Sequence, residues 1–253
     1  MARKLLTIQY DGTDYSGWQV QENARSVQSV LESVLRTVIT DLKGITGCSR
    51  TDAGVHANMY CLHFDTKSSI ENERIVAALN SRLPEDISAL DCKTVADDFH
   101  ARYSCKAKTY IYKIRNSSIP NPFTNKYELL IAKKLDENLL DYAAKKFIGT
   151  YDFAGFCSAG SSVSTTVRTV TDASVKRDGD VLTFSITADG FLYNMVRIIV
   201  GTLISVGFGK IDADDITDII NSKDRNRAGA TARPHGLSLY KVYYDFKEEQ
   251  HGC

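Results

Sequence analysis

From Cys105 to Arg115 the chain alternates without a break. Tyr110, Tyr112 and Ile114 fall on one side, and Thr109, Ile111 and Lys113 on the other. A two-residue period belongs to a strand, and a strand this long needs neighbours in a sheet. Lys4 to Tyr10, Met59 to Phe64 and Ser88 to Val95 read as further strands. Val167 to Val175 and Val181 to Ala188 form a hairpin about Arg177-Asp178-Gly179-Asp180, and Leu237 to Phe246 is the last strand.

Helical segments lie between them. Val27, Val30, Leu31, Val34, Leu35, Val38 and Ile39 make one apolar face after a capping Ser26. Asn72 to Leu83 is a second helix stopped by Pro84, and Asp136 to Phe147 a third that ends near Gly149. A long apolar helix starts at Phe191, and a short one covers Asp215 to Asn221. Asn116 to Asn125, with two prolines, and Ala159 to Thr166, rich in Gly, Ser and Thr, are loops. The alternation of strands and helices predicts an α+β fold with helices on an antiparallel sheet. The plan occurs twice, over 1–104 and 105–253, without an internal sequence repeat.

The 31 basic and 31 acidic residues cancel, which argues weakly against a nucleic-acid partner. The distribution argues the other way. Between His100 and Asn116 stand Arg102, Lys106, Lys108, Lys113 and Arg115 with no acid. Between Ser222 and Lys241 stand five basic residues against Asp224 alone. Each run is a solvated face or part of a local basic cleft. Six cysteines without Cys-x-x-Cys spacing in a chain of this length predict reduced, mostly buried thiols in a cytoplasmic protein. Phe191 to Phe208 carries Asn194, Arg197 and two glycines, so it reads as a core helix and no membrane span is predicted.

The chemistry concentrates in Gly47-Cys48-Ser49-Arg50-Thr51-Asp52-Ala53-Gly54-Val55-His56-Ala57, a polar loop between two strands. Asp52 and Gly54 alone read as turn residues. Arg50 two positions earlier adds a second reading, because a guanidinium holds a carboxylate ionised and oriented. Arg197 is the one charge on its apolar helix: it snorkels to water or meets a buried carboxylate. Tyr110 by itself is half-buried sheet packing.

Arg50-Thr51-Asp52-Ala53-Gly54-Val55-His56-Ala57 closely resembles the signature of the TruA family, the tRNA pseudouridine synthases of the anticodon arm. Other segments agree with the family in the same order. They are Tyr10-Asp11-Gly12-Thr13 with Gly17-Trp18-Gln19, Phe99-His100-Ala101-Arg102 with Lys108-Thr109-Tyr110, Phe191 to Arg197, and Thr231 with His235-Gly236-Leu237. Cys48-Ser49, usually a Gly-containing pair, and Arg233-Pro234 depart from the pattern.

The resemblance implies the pseudouridine synthase fold, two similar halves of antiparallel sheet with helices, joined along a central cleft. It implies conversion of uridine to pseudouridine in the anticodon stem-loop, at tRNA positions 38, 39 and 40, by a homodimer without metal or cofactor. Asp52 would be the catalytic carboxylate, Arg197 its partner and Tyr110 the platform for the uracil, with Arg50 also at the substrate. Arg25, Arg102, Lys106, Arg225 and Arg227 are weaker candidates for phosphate contact.

Three rivals remain: a non-catalytic RNA-binding protein or tRNA chaperone, a paralogue modifying a different uridine, and a hydrolase using Cys48 or Ser49. Gly47 to Thr51 lacks the Gly-x-Ser-x-Gly pattern of a nucleophile elbow, and Gly207-Phe208-Gly209-Lys210 matches no phosphate loop. His56 and His63, and the isolated His100 and His235, lack metal-pair spacing.

Overall fold

The computed structural model describes residues 1–160 and 163–246. Ser161 and Ser162 of the expected 159–166 loop, and Cys253 of the expected thiols, lie outside the described residues. In chain order the elements are β1 (Ala2–Tyr10), α1 (Val27–Val38), β2 (Thr46–Gly47), β3 (His56–Thr66), α2 (Asn72–Asn80), β4 (Ile87–Val95), β5 (Cys105–Arg115), β6 (Leu129–Leu130), α3 (Glu137–Lys145), β7 (Gly149–Asp152), β8 (Val167–Asp178), β9 (Val181–Ala188), α4 (Met195–Gly207), α5 (Ile216–Ser222) and β10 (Leu237–Tyr244).

The strands make one ten-stranded sheet, ordered β4-β1-β3-β10-β5-β9-β8-β7, with β2 added on β3 and β6 on β5. Its neighbours are antiparallel except β3 with β10 and β5 with β6. The β3–β10 pair is short, Ser238 opposite His56 and Leu239 opposite Ala57. It joins strands from residues 1–104 to those from 105–246, and it sits at the exit of the Asp52 loop.

The period-two pattern of β5 appears as burial. Tyr110, Tyr112 and Ile114 are buried on one face, while Ile111 and Lys113 on the other are partly exposed. On β9 the matching partners Ile186, Phe184 and Leu182 continue the buried face. Ser26 caps α1 through a reciprocal bond with Ser29, and Val27, Leu31 and Leu35 are buried on it. Asp136 caps α3, whose Leu140, Ala143 and Ala144 are buried.

Two helix boundaries differ from expectation. α2 ends at Asn80 rather than running to Leu83. The Asn80 side chain exchanges two hydrogen bonds with the backbone of Ala89 (2.7 and 2.8 Å), tying the helix end to β4 well before Pro84 can act. α4 begins at Met195 rather than Phe191, because Asn194 sits at a φ of 61°, a left-handed conformation that an α-helix cannot contain. The hairpin turn also tightens to Gly179-Asp180. β6 and β7, two and four residues long, were not anticipated. α4 is buried along most of its length, and among the described residues no helix is long and apolar enough to cross a membrane. Cys48, Cys61 and Cys92 are buried free thiols, and Cys105 and Cys157 are partly exposed.

His63 shows how tightly the segment after β4 is docked. It is buried on β3, and its Nδ1 accepts the Ala101 N–H at 3.1 Å. Burial, then the nearby Arg3 and His100, push its pKa down to about 4. A histidine depressed below its unfolded value of about 6.5 leaves the folded chain holding fewer protons than the unfolded one in that window. Stability therefore declines as pH falls from about 6.5 to about 4. Urea midpoints measured across that range will fall in the wild type, and a His63→Gln variant will show a flatter profile.

Candidate active site

Asp52 occupies a loop that is held from below by three buried tyrosines. Tyr10, the last residue of β1, bonds Thr51 Oγ1 at 2.8 Å; Tyr60 on β3 donates to the Ser49 carbonyl; Tyr110 on β5 lies 3.3 Å from Ser49 Oγ. Burial raises the pKa of all three phenols, so they stay protonated and able to donate. Trp18 stacks on Tyr60 with ring centres 4.0 Å apart, and its backbone N–H donates to the Thr51 carbonyl at 3.1 Å. Gly17, at a φ of 91°, lets the chain pass against the loop: a Cβ there would stand 2.5 Å from the Thr51 carbonyl oxygen. The opening segment, Tyr10 to Trp18, is thus the underside of the Asp52 loop.

The loop's exit is tied down by His56. Its Nδ1 accepts the Gly12 N–H at 3.0 Å and faces Asp11 Oδ1 at 3.0 Å. Its Nε2 lies 3.1 Å from both the Lys126 and His235 carbonyls.

From above, Arg197 reaches in from the first turn of α4. Its Nη1 donates to Asp52 Oδ2 at 3.0 Å and to Asn194 Oδ1 at 2.7 Å, and its Nε donates to the Ala232 carbonyl at 2.8 Å. Asn194 is itself held by a 2.9 Å bond from its Nδ2 to Ser158 Oγ. The ion pair is largely shielded, the two side chains being 16% and 24% exposed, so it is stronger than a surface pair. Of the two fates open to a lone arginine on an apolar helix, the structure shows pairing.

Tyr110 is buried, with Phe191 meeting its ring edge-on at 5.0 Å. Arg50 is exposed and makes no ion pair among the described residues. The guanidinium that orients Asp52 is therefore Arg197, from 145 residues away, and not the neighbour two positions upstream. At i and i−2 in an irregular loop the two side chains diverge, which leaves Arg50 facing solvent beside the carboxylate loop. The basic residues named for phosphate contact also separate. Arg25 lies over the Tyr15 ring and pairs with Asp86 at 3.4 Å, Lys106 pairs with Asp245 at 3.8 Å, and Arg225 braces its own loop through the Gly229 carbonyl. Arg102 and Arg227 are exposed.

Sequence reasoning missed Tyr10, Tyr60, Thr51 and Asn194 as supports. The one available signal was the i, i+3 spacing of Asn194 and Arg197; the tyrosines meet the loop by tertiary contact. A cavity of about 310 Å³ lined by Asp11, His56, Lys113 and Tyr127 does not include Asp52. It lies on the sheet face of Ile111 and Lys113, opposite that of Tyr110. Among the described residues no three His, Cys, Asp or Glu side chains converge to hold a metal ion.

Comparison with known proteins bears on this arrangement. The family model described as tRNA pseudouridine synthase matches residues 6–104 and 143–245, stretches that include Asp52, Arg197, and the strands and helix that carry them. The chain belongs to the tRNA pseudouridine synthase family. Curated relatives agree over nearly their whole length. The tRNA pseudouridine synthase A of Acetivibrio thermocellus is 48% identical over 239 residues, 94% of this chain and 98% of that one. The protein of the same name from Thermoanaerobacter sp. strain X514 is 46% identical over 244 residues, 96% and 100% of the two chains. That from Halalkalibacterium halodurans is 45% identical over 238 residues, 94% and 90%. As a pseudouridine synthase the chain is an isomerase acting on uridine in tRNA, with the pseudouridine synthase fold.

The support of Arg197 depends on close packing behind it. Gly201, one turn along α4, lies against the 229–232 segment, and a Cβ at Gly201 would stand 1.6 Å from the Ala230 carbonyl oxygen. Gly201→Ala must displace that segment, and Ala232 with it. We expect a loss of about 1–3 kcal/mol in chemical denaturation, accompanied by reduced turnover.

Proposed function

We propose that Asp52 is the catalytic carboxylate of this isomerase, that Arg197 holds it in register, and that Tyr110 is the platform for the extruded uracil. The observation that carries the reading is the 3.0 Å pair between Asp52 Oδ2 and Arg197 Nη1. It fixes the orientation of a half-buried loop carboxylate from a helix 145 residues away, which supports a positioned reactive group. The reaction breaks the C1′–N1 bond, turns the uracil, and joins C5 to C1′. A positioned carboxylate suits each way of opening that bond: attack on the sugar, attack on the base, or removal of a sugar proton. We assign Arg50 to contact with the RNA as the target base leaves its stack; its exposure two residues before Asp52 supports this.

The substrate region we assign is the anticodon stem-loop. We further infer a cytoplasmic homodimer, with a tRNA lying across both subunits and gathering positive charge from each. The zero net charge of one chain and the scatter of its basic residues support that sharing. The division at residue 104 serves the same picture, two halves meeting at the β3–β10 pair beside the Asp52 loop.

Tritium release from tRNA labelled at C5 of uridine tests the assignment, since C5 gives up its hydrogen when it joins the sugar. In Asp52→Asn release will drop by about 10³-fold or more, with tRNA affinity within a few-fold of wild type. Release at the wild-type rate from that variant would remove Asp52 from its role. A purely RNA-binding protein would give no release from either.

A further inference from the structure

Among the described residues, buried charged side chains have partners, with one exception. Lys4 donates to Asn72 Oδ1 and Thr94 Oγ1, and Glu128 accepts from Arg115 and Thr124. Lys108 is 7% exposed, yet among the described residues its ammonium has no hydrogen bond and no ion pair. An unpaired cation in such a place costs folding free energy that neighbouring protein groups do not return. No side-chain nitrogen or oxygen among the described residues is both sealed from solvent and unsatisfied. The tip of Lys108 therefore keeps an opening, while its stem is enclosed.

The strand geometry gives the sheet face from which Lys108 projects. β5 and β9 pair regularly from Lys108 to Arg115, so Lys108 points to the same face as Tyr110, one pleat repeat away. Its cross-strand neighbours are the apolar Val242 and Ala188. Beyond Ala188 the chain turns to Phe191, the residue against the Tyr110 ring. On the other side lies Cys48, two residues before Arg50, whose buried thiol feels the lysine's charge. Lys108 thus sits beside the Tyr110 platform, on the flank of the Asp52 loop.

We propose that Lys108 is a catalytic residue that contacts an oxygen of the target uracil and stabilises the anion formed when the ring leaves the sugar. The inference rests on the reading of Asp52 and Tyr110 above. When the C1′–N1 bond breaks, its electron pair stays on N1 and the charge spreads to O2 and O4. The deficit on the sugar falls to Asp52. After the ring turns, C5 bonds to C1′ with that pair, the C5 proton departs to solvent, and N1 takes up a proton, so atoms and charge balance. The uracil is neutral before cleavage, so a cation aimed at it acts on the transition state and not on binding. An anionic oxygen of the same nucleotide's phosphate would satisfy the ammonium too. That group is charged throughout, and contact with it would appear in affinity.

The test uses the full chain, with tRNA labelled at C5 of uridine, and compares Lys108→Met, Lys108→Arg and Asp52→Asn. Met keeps the length and packing of the stem while removing the charge. We expect single-turnover release at saturating enzyme to fall about 100-fold or more in Lys108→Met, with the tRNA Kd within about threefold and the melting temperature equal to or above wild type. Lys108→Arg will recover part of the rate. An unchanged rate would overturn the proposal. So would weakened tRNA binding at an unchanged saturating rate, which is the signature of a phosphate contact. Lower melting temperatures in both Lys108 variants would mark a packing role and also overturn it. Full release from Asp52→Asn would instead remove the active-site reading beneath it. An inactive Asp52→Asn beside a fully active Lys108→Met would sink the Lys108 proposal alone.

Discussion

The ion pair between Arg197 and Asp52 is the contact on which the site depends, and each end is prepared by a different part of the chain. An arginine on an apolar helix must recover the cost of leaving water. This one does so through three acceptors: a carboxylate, the Asn194 amide and the Ala232 carbonyl. Those acceptors converge because α4 begins at a left-handed Asn194 and because Gly201 admits the 229–232 segment against the helix. On the other side, Asp52 can be reached because its loop is pinned at Ser49 and Thr51 by tyrosine hydroxyls from three strands of the sheet, β1, β3 and β5. The carboxylate is clamped between a sheet and a helix, with little freedom left in either support.

The continuous sheet makes that clamp possible. β10, the last strand, enters between β3 and β5, so the end of the chain lies beside the loop exit and beside Tyr110. Its partner pairs there, Ser238 with His56 and Leu239 with Tyr110, bring strands from residues 1–104 and 105–246 into one ladder. His56 reinforces the same seam through the Gly12 N–H and the carbonyls of Lys126 and His235. Of the groups we assign, Tyr110 and Lys108 stand on β5 and Arg197 on α4, while Asp52 stands on a loop that is braced by β1, β3 and β5.

Charge follows a similar division of labour. The run from Arg102 to Arg115 reads as one basic stretch, but strand alternation sends its members to opposite faces and different partners. Arg115 is spent on Glu128, Lys113 lines the cavity beside His56, and Lys108 turns inward beside Tyr110. A basic segment in sequence is therefore not a basic surface.

Much of the fold was legible without coordinates. Period-two alternation marked β1, β3 and β5, and β4, β8, β9 and β10 read as strands too; on β5 and β9 a single buried face imposes that period. Caps at Ser26 and Asp136 and the apolar spacing of α1 marked helices whose ends are set by local bonds. The ends of α2 and α4 were misplaced because they depend on contacts with distant segments, Asn80 with Ala89 and Asn194 with Ser158. The signature loop, the family and the identity of Asp52, Tyr110 and Arg197 as candidates were all present in the order of residues. Residue chemistry alone left the partner of Arg197 open; the family resemblance named Asp52, and only the fold shows the pair formed. Arg50 is nearest to Asp52 along the chain, yet Arg197 holds it, because loop geometry separates near neighbours while sheet and helix packing bring remote ones together. For the same reason, only the fold shows Lys108 to be enclosed beside Tyr110 and, among the described residues, unpaired.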